Sequence, residues 1–325
     1  MTWWLLAALC LACLSGAAGH AAETTTVERP HAAWEQRKFT AAVALRPTLH
    51  LPDGQAPFPL VIVVNSSAGA RDFFLTQWPE ALVAAGIAAV SLDTFTPRGI
   101  RNTTRDQSQI SAFTMALDAL ATARHYAADP RIDPGRIVVS GHSKGASAAV
   151  HLANAEFYAR YGASPAFTAG MAFSPDCFLQ FDNTDTVFPL HALSGEKDDV
   201  TPPAYCIPLF ARLNGNPHPA TLEIIPATWH SWSIDGPAVR FQADLPNISR
   251  GPCAGDAPFM MEPGLRFRSS RTGDVISLDT LRTRCAGGTG KTFGGGRENL
   301  PLAFGKAIAW LRAVDFGTGA ATSQR

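Results

Sequence analysis

The chain has 325 residues, 46% of them hydrophobic and 17% charged, and its 27 basic and 27 acidic side chains cancel to a formal net charge of zero. That length supports one large domain with a substantial core. The even balance excludes the basic field of a nucleic-acid binder and the acidic run of a solvating tail.

At the N-terminus an apolar run from Trp3 to Leu14 is followed by the small residues Ser15, Gly16, Ala17 and Ala18. This pattern reads as an export signal, with cleavage after Ala18, Ala21 or Ala22. Met1-Thr2-Trp3-Trp4 lacks the usual Lys or Arg, which leaves an uncleaved membrane tether as the alternative. Residues 1–22 are accordingly assigned to a signal peptide and 23–325 to the folded domain, expected to be periplasmic or secreted. No later segment is apolar enough to span a bilayer, so no stable membrane insertion is expected once the signal is removed.

The first clear element is Leu60-Val61-Ile62-Val63-Val64, a continuous β-branched run that predicts a strand buried on both faces, as in a parallel sheet. Arg71 to Ala85 follows with helical spacing of Phe74, Trp78 and Leu82, then a second strand over Ile87 to Ser91. Ser108 is placed as the cap of a helix whose Ile110, Phe113, Leu117 and Leu120 share one face. A third strand, Arg136 to Ser140, leads to a helix over Ala146 to Tyr161. Phe167 to Phe173 and Val187 to Leu193 are candidate strands, the second interrupted by Pro189. A helix over Pro202 to Leu213 and a strand over Thr221 to Ile225 complete the alternation. Strands alternating with helices predict an α/β fold, a mostly parallel sheet covered on both faces, with Ala42 to Leu51 adding antiparallel edge strands.

From 234 to 299 the periodicity fails, and this stretch is read as an irregular insertion or lid. Leu300, Phe304, Ala307, Ile308 and Leu311 then return to helical spacing. Beyond the signal the chain has four cysteines, Cys177, Cys206, Cys253 and Cys285. An even count in an exported chain suggests two disulfides. Of the three pairings, Cys177–Cys206 and Cys253–Cys285 each close a local loop, and the second would staple the insertion. No His/Cys spacing predicts a metal site.

Gly141-His142-Ser143-Lys144-Gly145 fits the pattern G-x-S-x-G between a predicted strand and a predicted helix. In that context the sharp turn lifts the serine hydroxyl above the sheet at a helix N-terminus, where a developing anion is favoured. A serine nucleophile needs a base held by an acid, in the order Ser, acid, His for this arrangement. His230 follows the last strand and is the expected base, whereas His218 lies in a turn at the other end of that strand. The acid is placed at Asp198, with its neighbours Asp199 and Glu196 as alternatives. Two backbone N–H donors should line an oxyanion hole: Lys144, directly after the serine, and Ser67 in the loop after the first central strand, with Ser66 close behind.

The run from Val61 to Gly145 resembles the dienelactone hydrolase-like branch of the α/β-hydrolases. The likeness rests on Asn65-Ser66-Ser67-Ala68-Gly69, Asp93-Thr94-Phe95-Thr96-Pro97-Arg98-Gly99, Asp133-Pro134-Gly135-Arg136-Ile137 and Gly195-Glu196-Lys197-Asp198. The chain departs from that family in using Ser143 where a cysteine stands, and Asn65-Ser66 where His-Gly is usual. The resemblance therefore implies a general carboxylic ester hydrolase acting on a small-molecule ester with no cofactor. It also brings Arg98 forward as a candidate substrate contact. Of the aromatics Phe73, Phe74, Trp78, Trp229 and Trp232, the two flanking His230 are expected to line the pocket. Peptidase or thioesterase activity on the same fold, and a non-catalytic binding protein, remain alternatives. The sequence does not fix the oligomeric state.

Overall fold

A computed structural model describes residues 22–29, 42–161, 163–263 and 266–314. The predicted signal segment lies outside these residues except for Ala22, which opens the first strand.

Four short strands come first: β1 (Ala22–Thr24), β2 (Val27–Arg29), β3 (Val43–Leu45) and β4 (Thr48–His50). The alternating part contains β5 (Phe58–Val64), α1 (Phe74–Ala84), β6 (Ala88–Leu92), α2 (Ala112–Tyr126) and β7 (Ile132–His142). It continues with α3 (Lys144–Ala153), α4 (Ala155–Tyr161), β8 (Ala169–Phe173), β9 (Leu179–Gln180), β10 (Leu190–Gly195), α5 (Pro203–Leu213) and β11 (Ala220–Ile225). The eight-stranded central sheet has the order β1-β4-β6-β5-β7-β8-β10-β11. Its strands run parallel from β6 to β11, and β4 and β1 extend it antiparallel at one edge.

β5 shows why the sheet is covered on both faces. Leu60, Ile62 and Val64 pack into one core with α2 and α3, whereas Val61 and Val63 pack into a second with α1 and the C-terminal helix. Alternate side chains on a strand point to opposite faces, so an unbroken apolar run feeds two cores at once. The β5 register against β6 and β7 is in step, Val63 lying opposite both Ser91 and Ser140.

Three predicted boundaries are corrected. The α2 cap is Ser111, whose hydroxyl accepts from Thr114 N–H at 3.2 Å, while Ser108 lies in a short 3-10 turn headed by Asp106. The helix expected over Ala146 to Tyr161 is two helices. Asn154 between them is extended, and its side-chain oxygen accepts from Glu156 N–H, restarting the helix as an N-cap. β10 begins after Pro189, because a proline has no N–H to offer a central ladder.

The insertion is not irregular. β12 (Arg240–Pro246) precedes β13 (Phe259–Glu262), β14 (Arg266–Ser269), β15 (Val275–Ser277), α6 (Leu278–Arg284) and β16 (Thr289–Phe293), and α7 (Leu300–Ala313) follows as the C-terminal helix. β12 and β16 form an antiparallel ribbon. β13 pairs with β9, so the sheet β15-β14-β13-β9 grows directly from the main domain. The disulfides are Cys177–Cys206, tying the loop after β8 to α5, and Cys253–Cys285, closing the insertion. Among the described residues no helix is long and apolar enough to cross a membrane.

Candidate active site

Ser143 stands between β7 and α3 with φ 55° and ψ −118°. Positive φ is uncommon for a side-chain-bearing residue and marks a backbone held by its surroundings. Ser143 N–H donates to Phe173 O at 2.9 Å, anchoring the turn to β8. The two motif glycines are required by close approach: a Cβ on Gly145 would strike Val64 O, and one on Gly141 would strike the backbone of Gly145. The turn therefore forms only with both positions bare, and it leaves the serine at the helix N-terminus.

Three sequence-distant side chains meet here. Asp198 follows β10 and His230 follows β11. His230 Nδ1 is 2.8 Å from Asp198 Oδ2, and its Nε2 is 2.9 Å from Ser143 Oγ. A carboxylate can only accept, so Nδ1 carries the proton and Nε2 is left to accept from the serine hydroxyl. Asp198 and His230 are each 3% exposed. Burial pushes the Asp198 carboxyl up. The charge and hydrogen bond of His230, with the Thr201 amide and hydroxyl, outweigh it and hold the group below its ordinary value. Thr201 Oγ1 lies 2.9 Å from Asp198 Oδ2 and 3.0 Å from Ser174 O.

The alternatives to Asp198 face elsewhere. Asp199 accepts from Thr292 N–H and Thr292 Oγ1, each at 2.8 Å, and from Arg250 at 2.7 Å, so it clamps the insertion. Exposed Glu196 accepts from Ala227 N–H at 2.8 Å. His218 is exposed in the turn before β11.

The loop after β5 is tied by buried groups. Ser66 N–H donates to Asp72 Oδ2 at 2.6 Å, which removes that amide from an oxyanion role. Asn65 Oδ1 accepts from Thr94 N–H and Thr94 Oγ1, holding the loop against the segment after β6. Among the described residues the amides of Ser67 and Lys144 have no acceptor in the chain, and both residues border the cavity over Ser143. A developing oxyanion between them would receive two N–H donors at the positive end of α3.

Asp72 has no motif to announce it; only the need of a tight loop for an acceptor points to such a residue. His142 is likewise unmarked in the sequence. Its Nε2 donates to His230 O at 3.1 Å, fixing the loop that carries His230, and burial lowers its pKa to about 3.

Arg98 does not reach the cavity. It forms a bidentate pair with Asp118 at 2.7 and 2.9 Å, and Arg29 pairs with the same carboxylate, so this arginine braces the fold. Trp232, 1% exposed, packs in the core with Phe74 and Trp78, and Trp229 does not border the cavity either. Of the residues beside His230, Ser231 is the one that borders the cavity. Of the five aromatics singled out in the sequence, Phe73, 56% exposed, is the one that borders the cavity. Asn247 is 2% exposed and its side-chain amide donates to Asp199 O and Gly290 O.

The cavity over Ser143 has a volume of about 860 Å³, within the usual span of small-molecule sites. The insertion forms its outer wall through Leu245, Met261, Phe267 and Leu281. Lys144, Asp176 and Lys291 also border the cavity. Lys144 Nζ donates to Ile110 O at 2.7 Å and to Gln107 O at 3.1 Å, and burial lowers it to about 7. Burial also raises Asp176 and lowers Lys291. Among the described residues no group of three or more His, Cys, Asp or Glu could hold a metal ion.

No protein-family model and no curated protein sequence matches the chain. Solved structures do. An esterase from the Planctomycetes species Thermogutta terrifontis, with propionate bound, is 16% identical with a TM-score of 0.51, covering 66% of this chain and 86% of its own. A protein from Klebsiella pneumoniae subsp. pneumoniae, named as a dienelactone hydrolase, is 18% identical with a TM-score of 0.48, covering 65% of this chain and 88% of its own. Dipeptidyl peptidase 4 of Porphyromonas gingivalis is 17% identical with a TM-score of 0.49, and only 32% of that longer chain is covered. The esterase likeness, the mostly parallel sheet and the strand–serine–helix turn agree on one conclusion: this chain has the α/β-hydrolase fold.

Proposed function

We propose that the protein is an exported serine hydrolase that cleaves carboxylic esters through an acyl-enzyme. The reading is carried by one observation, the continuous hydrogen-bonded line Asp198–His230–Ser143 with spacings of 2.8 and 2.9 Å. His230 takes the proton of Ser143 as the hydroxyl oxygen attacks the ester carbonyl. Asp198 holds the proton-bearing Nδ1 and stabilises the imidazolium that forms. The oxyanion accepts from the amides of Lys144 and Ser67, a contribution of about 3 kcal/mol for one such donor. His230 then gives its proton to the leaving alcohol. Water, activated by the same imidazole, attacks the acyl-enzyme and releases the acid. No step requires a metal or organic cofactor. Two disulfides support an oxidising, extracytoplasmic location.

The test is hydrolysis of p-nitrophenyl acetate and butyrate by the wild type and by Ser143→Ala. The variant is expected to lose roughly a thousandfold or more in kcat/KM. Retained activity in Ser143→Ala would remove Ser143 from the nucleophile role, and turnover of amides alone would transfer the mechanism to a peptidase.

A further inference from the structure

We propose that the cavity carries an acyl arm running along α3 that selects ester substrates with unbranched acyl chains of medium length; this rests on the esterase reading above. Ser143, Ser147 and His151 all border the cavity. They lie four residues apart at the start of and along α3, and residues so spaced share one helix face. At 1.5 Å per residue the face from Ser143 to His151 is about 12 Å long, the reach of an extended chain of about eight to ten carbons.

Apolar side chains line much of the cavity beside this face. Phe113 and Phe178 border it from the main domain, and Met261, Phe267, Leu278 and Leu281 border it from the insertion. Phe113, Phe178, Met261, Phe267 and Leu281 are each 7% exposed or less. The far end is closed by aromatic packing. The His151 ring stacks on Phe113 with centroids 4.0 Å apart, and Phe181 meets both rings edge-on at 5.7 Å. His151 is buried and its pKa is lowered to about 3, so the floor is uncharged at neutral pH.

The polar groups are placed differently. Exposed Arg71, Arg105 and Arg240 mark the opening. Lys144 follows the serine directly, and the Asp176 amide donates to Ser147 Oγ at 2.9 Å, one helical turn from the nucleophile. An ester seated with its carbonyl among these groups would lay its acyl tail over Ser147 toward His151. Each methylene that leaves water adds up to about fourfold in transition-state affinity until the arm is full.

The test compares kcat/KM for p-nitrophenyl esters of acetate, butyrate, octanoate, laurate and palmitate, with the wild type and Leu278→Trp. The wild type should rise from acetate to a maximum near octanoate and fall by palmitate. In Leu278→Trp, whose indole would project into the arm, the octanoate-to-butyrate ratio should drop at least about tenfold. A wild-type profile that falls from acetate onward overturns the arm while leaving the esterase reading intact, and so does an unchanged ratio in a folded Leu278→Trp. The wild-type profile alone decides if that variant does not fold. Turnover of no ester at all, with normal folding, overturns both.

Discussion

The central sheet and the 234–299 insertion meet across the cavity, and they are held together by different means. In the sheet, β5, β6 and β8 are almost wholly buried, and their alternate side chains enter two cores. Stability there comes from area removed from water. In the insertion most strands are three to five residues long, and the seven-residue β12 is mainly exposed. Phe259, Met261, Phe267 and Leu281 join the core on one side of the sheet. Beyond that burial and the β13–β9 pairing, the insertion is pinned at discrete points: the Cys253–Cys285 bond, the Asp199 contacts to Thr292 and Arg250, and the Asn247 amide bridging Asp199 O and Gly290 O. A diffuse core tolerates the loss of one contact better than a structure held by a few pins does.

The largest expected effect on this contrast comes from the disulfide. Cys253 and Cys285 are 32 residues apart in sequence, and closing such a loop contributes about 3–4 kcal/mol through the unfolded chain. Replacing both by Ala should open residues 240–293 to amide hydrogen exchange while β5, β7 and β8 keep their protection. Loss of protection throughout the sheet would show that the insertion and the core unfold as one unit.

A smaller effect is expected from Asp199→Ala. The substitution strands the Thr292 N–H and hydroxyl and frees Arg250, at a cost of about 1–3 kcal/mol. Exchange should rise in β16 and β12, and the activity loss should stay well short of that in Asp198→Ala. Equal losses in the two variants would mean that the adjacent carboxylates do not divide their roles.

The same contrast explains what the sequence makes visible. Leu60-Val61-Ile62-Val63-Val64 declares a doubly buried strand because every residue must be apolar to serve two cores. Gly141 and Gly145 declare the turn because no other residue fits against Val64 and its own helix. Ser143 and His230 follow from chain order, and Asp198 from its place after β10. The insertion is illegible in the sequence because most of its strands, three to five residues long, complete too little of a period to be seen. The loop after β5 is legible in place but not in detail: Ser66 and Ser67 look equivalent until Asp72 takes the Ser66 amide. Arg98, Trp229 and Trp232 misled for one reason, since nothing local in a sequence tells which way a loop side chain turns. Asp118 claims the arginine, and a core shared with α1 claims Trp232.

The most direct test of the central claim is to treat the protein with a fluorophosphonate and locate the adduct by peptide mass spectrometry. The account predicts a single phosphonylated residue, Ser143, formed rapidly in the wild type and at least about a thousandfold more slowly in His230→Ala. An adduct on another serine, or labelling of Ser143 that is indifferent to His230, would contradict it.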